Sequence, residues 1–258
     1  MITTDIGNKI IDQARTILSE TKQLKKLVDE QKGEAHGDLH IGIIPTVAPY
    51  LLPLFLNGFL KKYPNIKLRI SEFTTDQIIA QLEKQQLDVG ILATPLKMTS
   101  VKEQPLFYEQ FVVYASLDEK MMKKKYLLAD DIDVNHLWLL EEGHCLRSQV
   151  VNLCELKRKE TLLQNLDYQA GSIETLKKMV DLNNGITILP ELALRDLSKK
   201  QKKNIRYFRP PAPVREISIV TYRHFVKYNL IQVLKQEILS NLPNSMKESI
   251  KKQITSIS

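Results

Sequence analysis

Apolar residues recur through the first thirty positions at alternating spacings of four and three: Ile10, Ala14, Ile17, Thr21, Leu24 and Val28. That is a heptad seam, and it predicts one helix over residues 5–30. Lys, Glu and Gln fill the other faces, so a lone helix would leave the stripe wet. A partner helix from a second chain is the expected cover, with the helix's own domain as the alternative. Gly33 and Gly37 then bracket a polar stretch, GEAHG, that breaks the pattern and reads as a linker.

From Asp38 the pattern changes to alternating strands and helices. Leu39–Ile44 is a short apolar run ending at Pro45, Pro49–Lys62 supports a helix, and Ile66–Phe73 alternates as a strand does. Thr75–Gln86 is amphipathic, with Ile78, Ile79 and Leu82 on one face, and Leu87–Leu92 is a third strand. This βαβαβ order predicts a parallel sheet covered on both faces. Ligands in such sheets sit beyond the strand C-termini, where Thr46 and Thr75 fall.

The alternation restarts after a strand at Phe111–Ala115. Strands are expected at Leu137–Leu140, Leu166–Ala170, Ile186–Leu189 (stopped by Pro190) and Ile217–Tyr222. Helices are expected at Ser172–Asn183, capped by Ser172, and at Tyr228–Leu242. Two α/β lobes fit this order, the last strand and helix returning to the first lobe, with crossovers near Ala115 and Arg215 and a cleft between. The expected limits are a linker and dimerisation helix over 1–33, one lobe over 34–115 plus about 216–258, and a second over 116–215 that holds both cysteines. Interfaces of this kind are common ligand sites.

At 258 residues, 43% hydrophobic and 26% charged, the chain can build real cores. No apolar run approaches the roughly 20 residues that span a bilayer. The opening MITTDIGNKIIDQA lacks a basic region and a cleavage site. A cytoplasmic location with no membrane partner follows as the expectation. The net charge of +7 raises a nucleic-acid partner. Its lysine runs, Lys123–Lys125, Lys199–Lys203 and Lys251–Lys252, are not interleaved as base-reading elements are, so solvated faces are expected.

Only two cysteines occur, Cys145 and Cys154. In a reducing cytosol a structural staple is not expected. With His144 as the sole further ligand nearby, no metal site is either. A reactive pair and two inert core residues both stay open. A hydrolase pairing Cys145 with His144 is disfavoured, because sequence neighbours seldom face each other as nucleophile and base. If the segment after Gly143 is helical, Cys145 sits at its N-terminus, where the dipole favours an anion. Arg147 and His144 add a charge and a titratable neighbour, so a lowered thiol pKa is expected. Nine helical residues set the cysteines about 13 Å apart along the axis at about 1.5 Å each. A disulfide tolerates Cα separations only to about 7 Å, so joining them requires unwinding.

GHCLRSQVVNLC resembles the sensor segment of the hydrogen-peroxide-responsive group of LysR-type transcription regulators, including the spacing to the second cysteine. The likeness runs from Asp38 to about Tyr222. GIIPTVAPYLLP, TTDQIIAQLEKQQLDVGIL, SIETLKKMVDLNNGITILP and PVREISIVTYR resemble blocks shared more loosely across LysR-type proteins. The resemblance implies a two-lobed, periplasmic-binding-protein-like (type II) α/β regulatory domain behind an N-terminal linker helix. It implies that Cys145 reacts with peroxide and Cys154 resolves it as a reversible disulfide. It also places Thr46, Thr75, His144, Arg147, Ser148 and Arg215 around the peroxide. Ser148 departs from the group, where Asp is usual, which puts a proton relay there in doubt. A sensor and not an enzyme is implied, without cofactor or metal. The implied partners are hydrogen peroxide as signal, a homodimer or a tetramer in the full protein, and a thiol-reducing system that resets it. Promoter DNA would be reached only through a winged helix-turn-helix domain, which is expected to be missing because the opening segment resembles the linker helix. The rival reading is an effector domain gated by a small-molecule metabolite, with incidental thiols. A thiol peroxidase is the third.

Overall fold

The computed structural model describes residues 36–96, 98–117, 120–154, 170–223, 227–247 and 253–254, with seven single positions among residues 4–17. Of the seam, Ile10, Ala14 and Ile17 are described, helical and exposed, while Thr21, Leu24 and Val28 lie outside the described residues. The expected strand at Leu166–Ala170 also lies outside them, Ala170 excepted.

Lobe I opens with β1 (Gly37–Ile43), α1 (Ala48–Lys62), β2 (Ile66–Glu72), α2 (Thr75–Glu83) and β3 (Val89–Thr94). β1 lies between β2 and β3, parallel to both, so the predicted βαβαβ unit is present. Helix α2 seats Ile78, Ile79 and Leu82 in the core, as the pattern required. It can approach so closely because Gly42 and Gly90 carry no Cβ: one added at either would stand 2.6 Å from Leu87 or Ile78. That contact fixes where the first turn of α2 points.

The parallel expectation stops there. β8 (Pro213–Tyr222) joins β3 and β4 (Val101–Ala115) antiparallel, giving the order β2-β1-β3-β8-β4-β7-β5 across the molecule. β4 belongs to both lobes. Its residues Val101–Gln110 pair with β8, and Phe111–Ala115 pair antiparallel with β6 (Ile186–Pro190). Val112–Tyr114 also pair with β7 (Ile205–Phe208), which is parallel to the short β5 (Tyr126–Leu127). The chain therefore changes sheet inside a strand, between Gln110 and Phe111, and returns between Phe208 and Pro213. Only the apolar end of β4 was legible. Polar alternation and Pro105, where the register shifts, hide the first ten residues.

Leu137–Leu140 is not a strand. Leu137 and Leu140 make isolated bridges to Ile186 and Ala170 around half-buried Trp138 and Leu139. Downstream, α3 (Cys145–Leu153) and α4 (Ile173–Asn183) complete lobe II, the latter capped by Ser172 Oγ, which accepts from Thr175 N–H at 3.2 Å. α5 (Tyr228–Asn241) returns to lobe I, where Glu237 accepts from Lys62 on α1 at 3.1 Å. Among the described residues, no helix is long and apolar enough to cross a membrane.

Candidate functional site

The site forms where two helices begin. Gly143, at φ +92°, takes the left-handed turn that L side chains resist, and His144 follows as N-cap of α3. Cys145 is then the first helical residue, 7% exposed and inside the core. Thr75, the first residue of α2, lies beside the sulfur, as does Ala93 of β3. Both come from lobe I, so the thiol of lobe II is held against the opposite lobe.

Burial pushes the Cys145 thiol above its ordinary range. The Arg215 charge, the Thr75 hydroxyl and the backbone N–H groups of Leu146 and Ala93 act the other way, in that order of strength. Burial wins, which corrects the expected lowering: the resting group is the protonated thiol. The thiolate is nonetheless provided for, since its stabilisers are already in place. The Thr75 hydroxyl faces the sulfur, yet nothing meets it with full hydrogen-bond geometry. A buried hydroxyl left in that state costs free energy until a small polar guest accepts or donates to it.

Among the described residues, Arg215 is the largest fully buried side chain. Its Nε donates to Glu109 Oε1 at 2.7 Å, and its Nη1 and Nη2 donate to Thr46 Oγ1 and Thr46 O at 3.1 and 3.2 Å. Glu109 Oε2 in turn accepts from Leu192 N–H at 3.1 Å. Burial raises the Glu109 carboxyl, and Arg215 is the main force holding it down. One fully buried ion pair thus ties β4 and β8 to the loop after β1 and to the turn after β6. Sequence reading missed Glu109. The available signal was its place between Phe107 and Phe111, all three buried at strand spacing.

The remaining expected residues separate. Thr46 is buried against Arg215. His144 is buried, with Nε2 3.5 Å from Glu141 Oε1. Arg147 does not supply the charge acting on the thiol. Its Nη1 donates to Leu140 O at 2.7 Å, tying the first turn of α3 to the preceding loop, and Arg215 takes the electrostatic role. Ser148 is exposed on the outer face of α3.

Cys154 is the C-cap of the same helix, partly buried, and burial alone pushes it up to about 11. Both thiols are free. With α3 intact between them, they stand about 13 Å apart along the axis at about 1.5 Å per residue. No cluster of His, Cys, Asp or Glu suited to a metal occurs among the described residues.

The fold matches known proteins. A family model described as the LysR substrate binding domain covers residues 32–243. The chain belongs to that family. A "Hydrogen peroxide-inducible genes activator" of Haemophilus influenzae is 36% identical to this LysR-type domain over 219 residues, which is 84% of the chain and 71% of that protein. The "DNA-binding transcriptional dual regulator OxyR" of Escherichia coli is 35% identical over 217 residues, 84% of this chain and 70% of the other. The crystal structure of OxyR from Porphyromonas gingivalis superposes with a TM-score of 0.77 at 31% identity, covering 84% of this chain and 98% of that one. The LysR-type domain accordingly has the two-lobed, type II periplasmic-binding-protein-like architecture, and its relatives are transcription regulators.

Proposed function

We propose that this domain is the hydrogen-peroxide sensor of a LysR-type transcription activator, switching through a reversible Cys145–Cys154 disulfide. Peroxide reaches buried Cys145, where Thr46, Thr75 and Arg215 hold it and His144 and Arg147 shape the start of α3, while Ser148 stays outside the site. The Cys145 sulfur attacks one peroxide oxygen and the O–O bond breaks. The sulfur is oxidised to a sulfenic acid, and the other oxygen leaves as water after taking the thiol proton. Cys154 then attacks that sulfur and a second water leaves, closing the disulfide. A cellular dithiol returns two electrons and two protons to reset it.

The observation that carries this reading is one helix with a thiol at each end, the first held beside Arg215 and an unsatisfied hydroxyl. Closing the bond must unwind α3, because its two ends cannot meet otherwise. The unwound segment then repacks the two lobes, between which the chain crosses at Gln110–Phe111 inside β4 and again between Phe208 and Pro213. A homodimer, or a tetramer in the full-length regulator, passes the change to promoter DNA through a DNA-binding domain. The protein acts in the cytoplasm, as a sensor and not a turnover enzyme.

The raised Cys145 pKa favours a second reading, in which the thiols are incidental and a small metabolite gates the cleft. Mass spectrometry after one equivalent of peroxide separates the two. An intramolecular disulfide in the unmodified protein, an unreactive Cys145→Ser, and a sulfenic acid at residue 145 in Cys154→Ser support the sensor. A protein left unmodified supports the metabolite. If Cys154→Ser blocks the first oxidation, the division of roles is wrong.

A further inference from the structure

Six of the twelve residues from Ser198 to Arg209 are Lys or Arg, and none is acidic. The fold places this run against the second one, Lys123–Lys125. Arg206 joins them: its Nε and Nη2 donate to Met122 O at 3.1 and 2.7 Å, while Nη1 donates to Lys203 O at 3.1 Å. One guanidinium therefore holds two lysine-rich turns within its own span, although 80 positions separate Lys123 from Lys203. Lys124 is neutralised by Asp131 at 2.5 Å. Lys123, Lys125, Lys199, Lys200, Lys202 and Lys203 are exposed, and none makes an ion pair with a described residue.

The solvated-face expectation rested on runs not interleaved with aromatic side chains; the fold brings Lys123–Lys125 and Lys199–Lys203 together beside two tyrosines, while Lys251–Lys252 lie outside the described residues. Tyr126 of the edge strand β5 pairs in register with Tyr207 of neighbouring β7, and the two residues are 47% and 49% exposed. Lys125 Nζ lies 5.5 Å from the Tyr126 ring centre. Asp181 accepts from Gln201 Nε2 at 3.0 Å and from Asn204 Nδ2 at 3.2 Å, so one carboxylate lies beside the run. Six exposed lysines still outnumber it, and holding like charges together costs free energy that more acidic neighbours would relieve. A line of phosphates relieves it instead, because each neutralised phosphate releases a condensed counterion.

We infer that this lobe II face, built from Lys123, Lys125, Lys199, Lys200, Lys202 and Lys203 with Tyr126 and Tyr207 at its edge, is a sequence-independent contact for the DNA phosphate backbone. The surface carries the chemistry of phosphate binding, and DNA as its source rests on the regulator reading above. It adds affinity and not base recognition, since lysines on phosphates carry no sequence information.

Fluorescence anisotropy of the reduced full chain with a 30-base-pair duplex of arbitrary sequence tests it. With four or five phosphates contacted, the association constant should fall at least about 100-fold between 50 and 200 mM salt. Lys123→Glu, Lys125→Glu, Lys202→Glu and Lys203→Glu together should weaken binding at least tenfold at 50 mM salt. A charge-matched control at exposed lobe I lysines, Lys61→Glu, Lys67→Glu, Lys84→Glu and Lys102→Glu, should cost far less. If the fourfold variant melts early, the milder pair Lys202→Ala and Lys203→Ala should still flatten the salt slope. No binding at 50 mM salt, equal losses in both fourfold variants, or tighter capture of a polyglutamate peptide than of DNA would overturn the assignment. Because no peroxide is added, failure here leaves the redox reading standing, and failure of the thiol chemistry leaves this one standing.

Discussion

Cys145 is protonated at rest, so its chemistry is selective through access and not through general reactivity. On the proposed mechanism, only a guest small enough for a buried site, and able to exchange hydrogen bonds with Thr75 and Arg215, reaches the sulfur. Peroxide should therefore outpace a bulky alkylating agent by more at Cys145 than at a free thiol, and competition kinetics against cysteine in solution would show it. Arg215→Gln removes the strongest force lowering that thiol. Its alkylation midpoint should move to higher pH and its oxidation should slow. Glu109 is then left buried without its cation, at a cost of about 3–5 kcal/mol in unfolding free energy. A variant with unchanged midpoint and stability would remove Arg215 from the site. Cys154 makes a pH prediction with a definite sign. Burial raises it from 9.0 to about 11, so the folded state holds that proton more tightly than the unfolded chain. The stability it contributes is complete below about pH 9 and is lost as pH rises toward about 11. Cys154→Ala should decline less steeply in denaturant titrations across that window.

At the scale of elements, α3 is the spacer between the thiols and, on the proposed mechanism, the part that unwinds. Ser148 is exposed mid-helix and touches neither thiol, so it tunes helix stability without touching the chemistry. Ala there should stabilise the reduced helix by about 0.5 kcal/mol and Gly destabilise it by a similar amount. The disulfide's equilibrium constant against a glutathione buffer should fall about twofold for Ser148→Ala and rise about twofold for Ser148→Gly. Equal constants would mean that closure does not require unwinding. Much of this element was legible in the sequence. The Gly143 turn, the helix and the thiols at its ends follow from local pattern. What surrounds the first thiol was only partly so. Arg147 is a sequence neighbour that the fold turns away, whereas Arg215 is 70 positions distant and arrives through the β4–β8 pairing. Local reasoning sees the neighbour. Glu109 was hidden likewise, because a charge on a buried strand is explained only by its partner across the sheet.

For the whole molecule, well-defined polar links join the two lobes among the described residues. Besides the Glu109–Arg215 pair, Tyr50 of α1 donates to Glu174 of α4 at 2.7 Å, and buried Lys177 bonds the same carboxylate at 2.6 Å. Tyr50→Phe deletes one link between lobes and leaves the Glu174–Lys177 pair intact. About 1 kcal/mol of thermal stability should go with it, and an unchanged melting curve would show that the lobes are held without it. One strand shared by both lobes, one return segment and such links make a scaffold in which a local change at α3 can alter how the lobes sit. Hydrogen–deuterium exchange across residues 145–154, before and after one equivalent of peroxide, tests this most directly. Protected amides in the reduced protein, becoming fast-exchanging as the Cys145–Cys154 disulfide forms, are the expected result. A disulfide that forms while those amides stay protected would contradict it.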